Sequence, residues 1–125
     1  MTKRTVLSAL PFLLWTTAAQ AATLSTPWMF AGEDQLTQCN VTNVGTKPVT
    51  VTIELYDSLG KRVAAERDNC GDVPLAPKAT CGVDVGNRSA MCFIKTSSAA
   101  VRGALTIYEL RPMTTPVTVV PATAK

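Results

Sequence analysis

The four cysteines are the residues whose type and spacing suggest the most specific chemistry in this 125-residue sequence. They are Cys39, Cys70, Cys81 and Cys92. No two of them have the C-x-x-C spacing that is typical of zinc ribbons and of redox motifs, and the sequence contains no histidine. An even number of cysteines without metal-site spacing therefore favours two disulfide bonds.

The lack of histidine also limits the catalytic and metal chemistry of the chain. Ser–His–Asp and Cys–His arrangements are excluded, and so are most zinc and copper sites, in which imidazole is the usual ligand. Thioether ligands for copper(I) remain conceivable at Met29, Met91 and Met113. Their spacing does not repeat, and methionine is more often a filler of hydrophobic cores.

Pairs of carboxylates are the remaining candidates for chemistry. Glu33 stands next to Asp34, and Asp68 and Asp72 flank Cys70. A pair of carboxylates can hydrolyse glycosidic bonds, and loop oxygens can bind calcium. The spacing matches no calcium-loop pattern, however, and each residue is more simply a solvated loop charge. We therefore predict no enzymatic activity, no metal and no cofactor.

Residues 1–21 have the features of a secretory signal in the usual order. Lys3 and Arg4 precede an apolar run over residues 6–15, and residues 19–21, Ala-Gln-Ala, fit the small–x–small cleavage pattern. The alternative is a membrane anchor, but a spanning helix needs roughly 20 apolar residues. We expect cleavage after residue 21 and a mature chain in the periplasm or outside the cell, with no stable membrane span.

The charge of the mature chain gives no indication of a nucleic-acid partner. Without the two basic residues of the signal, ten basic and nine acidic residues remain, and they are interspersed along the sequence. Nucleic-acid binding needs a clustered basic face. We therefore expect the partner to be a protein or a component of the cell envelope.

The elements that must position these residues are β-strands. Residues 49–56 alternate between apolar and polar side chains, the period of two that predicts a half-buried strand. Six other segments resemble strands, so seven are expected, near residues 24–30, 36–44, 49–56, 62–66, 79–85, 90–96 and 100–110. Short strands separated by turn residues predict an all-β, antiparallel two-sheet sandwich over residues 22–110.

The last segment, residues 111–125, contains three prolines among threonine and valine residues and almost no charge. Such a composition predicts a flexible tail. The alternative is an edge strand formed by residues 117–120, which are rich in β-branched side chains.

The predicted strands favour one of the three possible cysteine pairings. Cys39 and Cys92 lie on inward faces of an early and a late strand, and such residues meet across the sheets of a sandwich. Cys70 and Cys81 bracket a proline-containing loop and are close in sequence. We therefore expect the disulfides Cys39–Cys92 and Cys70–Cys81.

Several segments together resemble a known group of proteins. They are the runs at residues 39–45, 56–60, 75–81 and 101–105. They resemble small exported bacterial immunoglobulin-like β-sandwich proteins of unassigned function. The resemblance covers most of the mature chain and implies a fold and a compartment, but it brings no catalytic residues with it.

Exposed aromatic residues are the best candidates for contact with a partner. Trp28 and Phe30 precede the second strand, and Tyr56 and Tyr108 are expected on outward strand faces. The alternative for the first two is that they cap one end of the core. We expect a non-catalytic exported binding or structural module that acts through strand edges or exposed aromatics. Two alternatives are a surface-assembly subunit that exchanges its tail as a strand, and an inhibitor of an exported hydrolase.

Overall fold

The computed structural model describes residues 20–110 and 116–124, and these residues form β-strands, turns and loops without a helix. The predicted signal peptide lies outside the described residues except for its last two positions. The strands, in chain order, are β1 (Ala22–Ser25), β2 (Gln35–Asn43), β3 (Val51–Tyr56), β4 (Arg62–Val63), β5 (Arg67–Asp68), β6 (Thr80–Gly86), β7 (Met91–Thr96), β8 (Val101–Glu109), β9 (Pro116–Pro121) and β10 (Thr123–Ala124).

The strands form two antiparallel sheets of five strands each. The first sheet has the order β10-β1-β7-β3-β4, and the second has the order β5-β6-β2-β8-β9. The prediction of an all-β protein with two antiparallel sheets is confirmed, but the expected number of about seven strands is wrong. The additional strands are β5, β9 and β10. β5 and β10 have two residues each and are too short to leave a periodic pattern in the sequence, whereas β9 was expected only as an alternative to a flexible tail.

The core lies between the sheets and follows the alternation of the sequence. In β3, Ile53 and Leu55 are buried, whereas Glu54 and Tyr56 lie on the opposite face and are partly exposed. In β7, Cys92 and Ile94 are fully buried in the same way. Burial of such β-branched and leucine side chains contributes about 1.5–3 kcal/mol each to folding.

The two disulfides have the pairing that the strand positions favour. Cys39 in β2 is bonded to Cys92 in β7, so this bond joins the two sheets. Cys70, just after β5, is bonded to Cys81 in β6 and fastens the loop at the edge of the second sheet. Two disulfides in a small domain indicate an oxidising environment, such as the periplasm or the cell exterior.

The C-terminal segment forms two strands where the structure describes it, over residues 116–124, in line with the edge strand that was the alternative for residues 117–120. β9 pairs with β8 at the edge of the second sheet, and β10 pairs with β1 at the edge of the first. We call residues 116–124 the strap, because they cross from one sheet to the other. The β-branched residues at 117–120 favour a strand, and an edge position tolerates the prolines at both ends of β9.

Candidate interaction surfaces

Trp28 and Phe30 form an exposed pair of aromatic rings, which we call the aromatic pair. The exposed fraction is 41% for Trp28 and 72% for Phe30. Their ring centroids are 6.5 Å apart and the ring planes are inclined by 62°, an edge-on arrangement. Met29, between them, packs against the core instead. The aromatic pair therefore leaves much of its apolar surface exposed to solvent.

The loop that carries the aromatic pair is fastened to the segment before β7. The amide of Met29 donates to the carbonyl of Ala90 at 3.0 Å, and the amide of Ala31 donates to the Ser89 hydroxyl at 2.9 Å. Further along, the amide of Asp34 donates to the side-chain oxygen of Asn87 at 3.1 Å. These bonds tie the loop on both sides of Phe30, so its backbone is held before any partner arrives.

Tyr56 belongs to a cluster on the outer face of the first sheet. Its ring meets the ring of Phe93 edge-on, with the centroids 5.4 Å apart, and its hydroxyl donates to Glu54 Oε2 at 3.1 Å. Lys95 Nζ lies 3.0 Å from the same oxygen, and Arg62 lies 3.9 Å from the other oxygen of Glu54. The hydrogen bond from Lys95, followed by that from Tyr56, lowers the pKa of the Glu54 carboxyl. Tyr56 is thus engaged with its neighbours.

Tyr108 lies on the other sheet, away from the rest of the predicted contact residues. In β8 it stands opposite Leu36 of β2, and it lines a shallow cleft of about 300 Å³ with Gln38, Arg67 and Asp84. The structure therefore brings Trp28 and Phe30 together, but it does not unite the four predicted residues in one surface.

Asp84 is a buried charged residue that the sequence analysis did not single out. Its residue exposure is 8%, and Arg67 Nε lies 3.5 Å from Oδ1, an oxygen that accepts no hydrogen bond within the described residues. Asp84 stands between the buried residues Val83 and Val85 in β6. An acidic residue in the middle of an apolar strand is unusual, and this position in the sequence could have pointed to it.

The residues considered for calcium have structural partners in the loop after β5. Asp68 Oδ1 accepts the amide of Cys70 at 2.9 Å, and Asn69 Oδ1 accepts the amide of Gly82. Among residues 20–110 and 116–124, no three histidine, cysteine, aspartate or glutamate side chains are grouped so that they could hold a metal ion. The copper candidate Met113 lies outside the described residues, and Met29 and Met91 are half-buried.

No helix within the described part of the chain is long and apolar enough to cross a membrane. Comparisons of the chain with protein-family models, with curated proteins and with solved structures give no match.

Proposed function

We propose that the protein is a non-catalytic, immunoglobulin-like binding module that is exported to the periplasm or the cell surface and contacts a protein or envelope component through the aromatic pair. The observation that carries this proposal is the exposure of Trp28 and Phe30 on a loop whose backbone is already fastened. The two disulfides support the oxidising compartment, and the predicted signal peptide supports export.

Two physical reasons favour the aromatic pair over the tyrosines. Large aromatic side chains contribute most of the binding energy at many protein interfaces, because they lose much apolar surface to water when they are covered. Tyr56 is already covered in part by Phe93 and hydrogen-bonded to Glu54, so it has less surface to offer. The fastened loop also lowers the entropy that binding would cost.

The proposal is tested by capture from an envelope extract of the native host. The mature protein, immobilised through its C-terminus, is compared with the double variant Trp28→Ala/Phe30→Ala. Leu59→Ala is the matched control, because Leu59 is a large apolar residue with an exposed fraction of 90% in the turn between β3 and β4. We expect the same captured protein with the wild type and with Leu59→Ala, and its loss with the double variant. Equal capture by all three would contradict the proposal.

Strand exchange between copies is a second candidate, because the strap forms edge strands on both sheets. β9 and β10 pair with β8 and β1 of the same chain, and a second copy offers the same two pairing sites. Size-exclusion chromatography of the mature protein separates the two candidates. A stable monomer argues against exchange, whereas a dimer that disappears when the strap is removed supports it.

A further inference from the structure

One edge of β3 is open over a short stretch in the middle of the strand. On one side β3 pairs with β7 along its whole length, from Val51 to Tyr56. On the other side β4 covers only Leu55 and Tyr56. The next contact on that side is the bridge between Val49 and Leu75. Among the described residues, no strand pairs with Val51 or Ile53 on this side.

The backbone groups of Val51 and Ile53 point to this open side. The amide of Val49 donates to the carbonyl of Leu75 at 3.0 Å, and the amide of Leu75 donates back to Val49 at 2.7 Å. Thr50 faces the other way, because its carbonyl accepts the amide of Ser97 at 3.0 Å. The backbone of a strand alternates with a period of two, so Val51 and Ile53 direct their N–H and C=O groups to the same side as Val49.

A cleft lies next to these groups. It has a volume of about 230 Å³, and the open stretch of β3 faces the loop from Cys70 to Val73 across it. A second cleft of about 480 Å³ adjoins it, and Ile53, Arg62 and Asp68 line both. We call the two together the edge cleft. Its far wall is held in place by the Cys70–Cys81 disulfide.

The backbone groups and the charges that line the edge cleft favour one kind of ligand, an extended polypeptide with basic side chains. An extended polypeptide presents N–H and C=O groups that repeat about every 7 Å along one edge, which is the spacing that Val51 and Ile53 require. Asp68 and Asp72 line the cleft, while Arg62 is drawn toward Glu54, 3.9 Å away. The charge available to an occupant is therefore mainly negative and favours a basic side chain.

We propose that the edge cleft binds a short, extended, basic segment of a partner protein, which adds a strand to β3 by pairing with Val51 and Ile53. This inference rests on the proposed binding function, but it uses a surface other than the aromatic pair. The stretch between the Val49–Leu75 bridge and β4 admits only a few residues of the partner.

The probe for a first test is the peptide acetyl-Thr-Lys-Val-Lys-Val-Thr-amide, titrated into the isotope-labelled mature protein and followed by amide resonances. We expect saturable shifts at Val51 and Ile53. The same peptide with alternate amides N-methylated should bind about tenfold more weakly, because it loses backbone donors. A version with glutamate in place of lysine should also bind more weakly. Absence of saturable shifts at Val51 and Ile53, or equal binding of the N-methylated peptide, would overturn the proposal.

Proline substitutions give a matched pair of variants. Val51→Pro removes a donor that points into the edge cleft, so the fold should persist while peptide binding falls about tenfold. Thr52→Pro removes a donor on the side of β7 and should lower the melting temperature instead. If Val51→Pro fails to fold, backbone amide hydrogen exchange in the wild type tests the open edge instead. The amides of Val51 and Ile53 should exchange faster than those of Thr52 and Glu54. Slower exchange at Val51 and Ile53 would contradict the open edge.

Peptide binding at the edge cleft can be tested separately from partner binding through the aromatic pair. Trp28→Ala/Phe30→Ala should bind the peptide as tightly as the wild type, because these residues do not line the edge cleft. Loss of peptide binding in this variant would contradict the assignment to the edge cleft. If capture from the envelope extract fails while the peptide binds with the expected pattern, the proposal for the edge cleft is supported and the proposal for the aromatic pair is contradicted.

Discussion

The disulfide between Cys39 and Cys92 joins the middle strand of one sheet to the middle strand of the other. β2 is third of five strands in its sheet, and β7 is third of five in its own. The two Cα atoms are 6.1 Å apart, and both residues are fully buried. The bond therefore passes through the centre of the core, whereas the Cys70–Cys81 bond lies at the edge of the second sheet.

The two disulfides should contribute differently to stability. The Cys39–Cys92 bond spans 53 positions of sequence and the Cys70–Cys81 bond spans 11. Loop-closure entropy then predicts that Cys39→Ala/Cys92→Ala lowers the free energy of unfolding by about 4 kcal/mol, and Cys70→Ala/Cys81→Ala by about 3 kcal/mol. Urea unfolding of both double variants measures the difference. A larger loss from the second pair would contradict this ranking.

The disulfides should also differ in their access to reductant. Cys70 is half-buried, whereas Cys39 and Cys92 have no exposed surface. Reductant must reach a sulfur atom, so the buried bond opens only when the domain unfolds. We expect a brief phosphine treatment of the native protein, followed by alkylation and peptide mapping, to label Cys70 and Cys81 first. Simultaneous labelling of all four cysteines would show that the core opens as easily as the edge.

The parts of the fold that could be predicted are those with long alternating patterns. The predicted strands at residues 36–44, 49–56, 79–85, 90–96 and 100–110 correspond to β2, β3 and β6–β8, because each has an apolar face that must be buried between the sheets. The segments predicted at residues 24–30 and 62–66 overlap β1 and β4 at only two residues each, and residues 26–30 form a loop instead. β9 carried a weaker signal, since the prolines around residues 117–120 also suit a flexible tail. Its order comes from pairing with β8, a contact between distant segments that composition does not reveal.

The candidate surfaces were less predictable than the strands. The loop with Trp28 and Phe30 has no period, so the sequence could name the residues but not decide whether they face the core or the solvent. The open edge at Val51 and Ile53 could not be predicted for another reason. It depends on which residues of β3 pair with β4 and on the bridge between Val49 and Leu75. A strand pattern shows which face is buried, but it does not show which edge is paired.

Asn43 is a buried polar residue whose partners lie in two loops. Its side-chain amide donates to the carbonyls of Lys47 at 2.8 Å and Leu75 at 2.9 Å, and its oxygen accepts the amide of Gly45 at 2.9 Å. Asn43→Ala should lower the free energy of unfolding by about 2–3 kcal/mol, because it removes three hydrogen bonds of a fully buried side chain that join the two loops to β2.

The matched control for Asn43 is Asn40→Ala. Asn40 lies on the outer face of β2, is half-buried, and donates to the side chain of Gln38 at 3.1 Å. Its replacement should cost less than about 1 kcal/mol in urea unfolding. If the two variants lose the same stability, the Asn43 hydrogen bonds do not hold the loops as inferred.

The Glu54–Lys95 pair should make stability depend on pH in the acidic range. The pKa of Glu54 is lowered in the folded protein from its ordinary value of 4.5, first by the Lys95 hydrogen bond and then by Tyr56. A lowered carboxyl pKa contributes stability that is complete above the unfolded value and is lost as the pH falls through the folded value. Because the Lys95 side chain is 58% exposed, Lys95→Ala should cost less than about 1 kcal/mol at neutral pH.

The test for this pair compares urea unfolding of the wild type and Lys95→Ala from neutral pH to below 4.5. The difference should be constant above that value and should shrink below it as Glu54 becomes protonated. Lys61→Ala is the control, because Lys61 forms no ion pair within the structurally described residues. A difference that persists unchanged at the lowest pH would mean that Lys95 acts by packing rather than by charge.

Gly103 marks the place where the strap passes over the core. Its carbonyl accepts the amide of Ala122 at 2.8 Å, and a methyl group at this position would stand 3.1 Å from the Ala122 side chain and would collide with the end of Ile94. Ile94 is fully buried and has little room to move. Gly103→Ala should therefore lower the free energy of unfolding by about 1–3 kcal/mol. Gly32→Ala should change it little, because the nearest atom there is 3.7 Å away.

A double variant identifies the collision with Ile94 as the cause. Ile94→Val alone removes a buried methyl group and should cost about 0.5–1.5 kcal/mol. In the Gly103→Ala background the same change removes the colliding atom, so it should cost less or restore stability. Additive losses in thermal unfolding of the single and double variants would show that the added methyl group acts elsewhere, by pushing the strap away from β8.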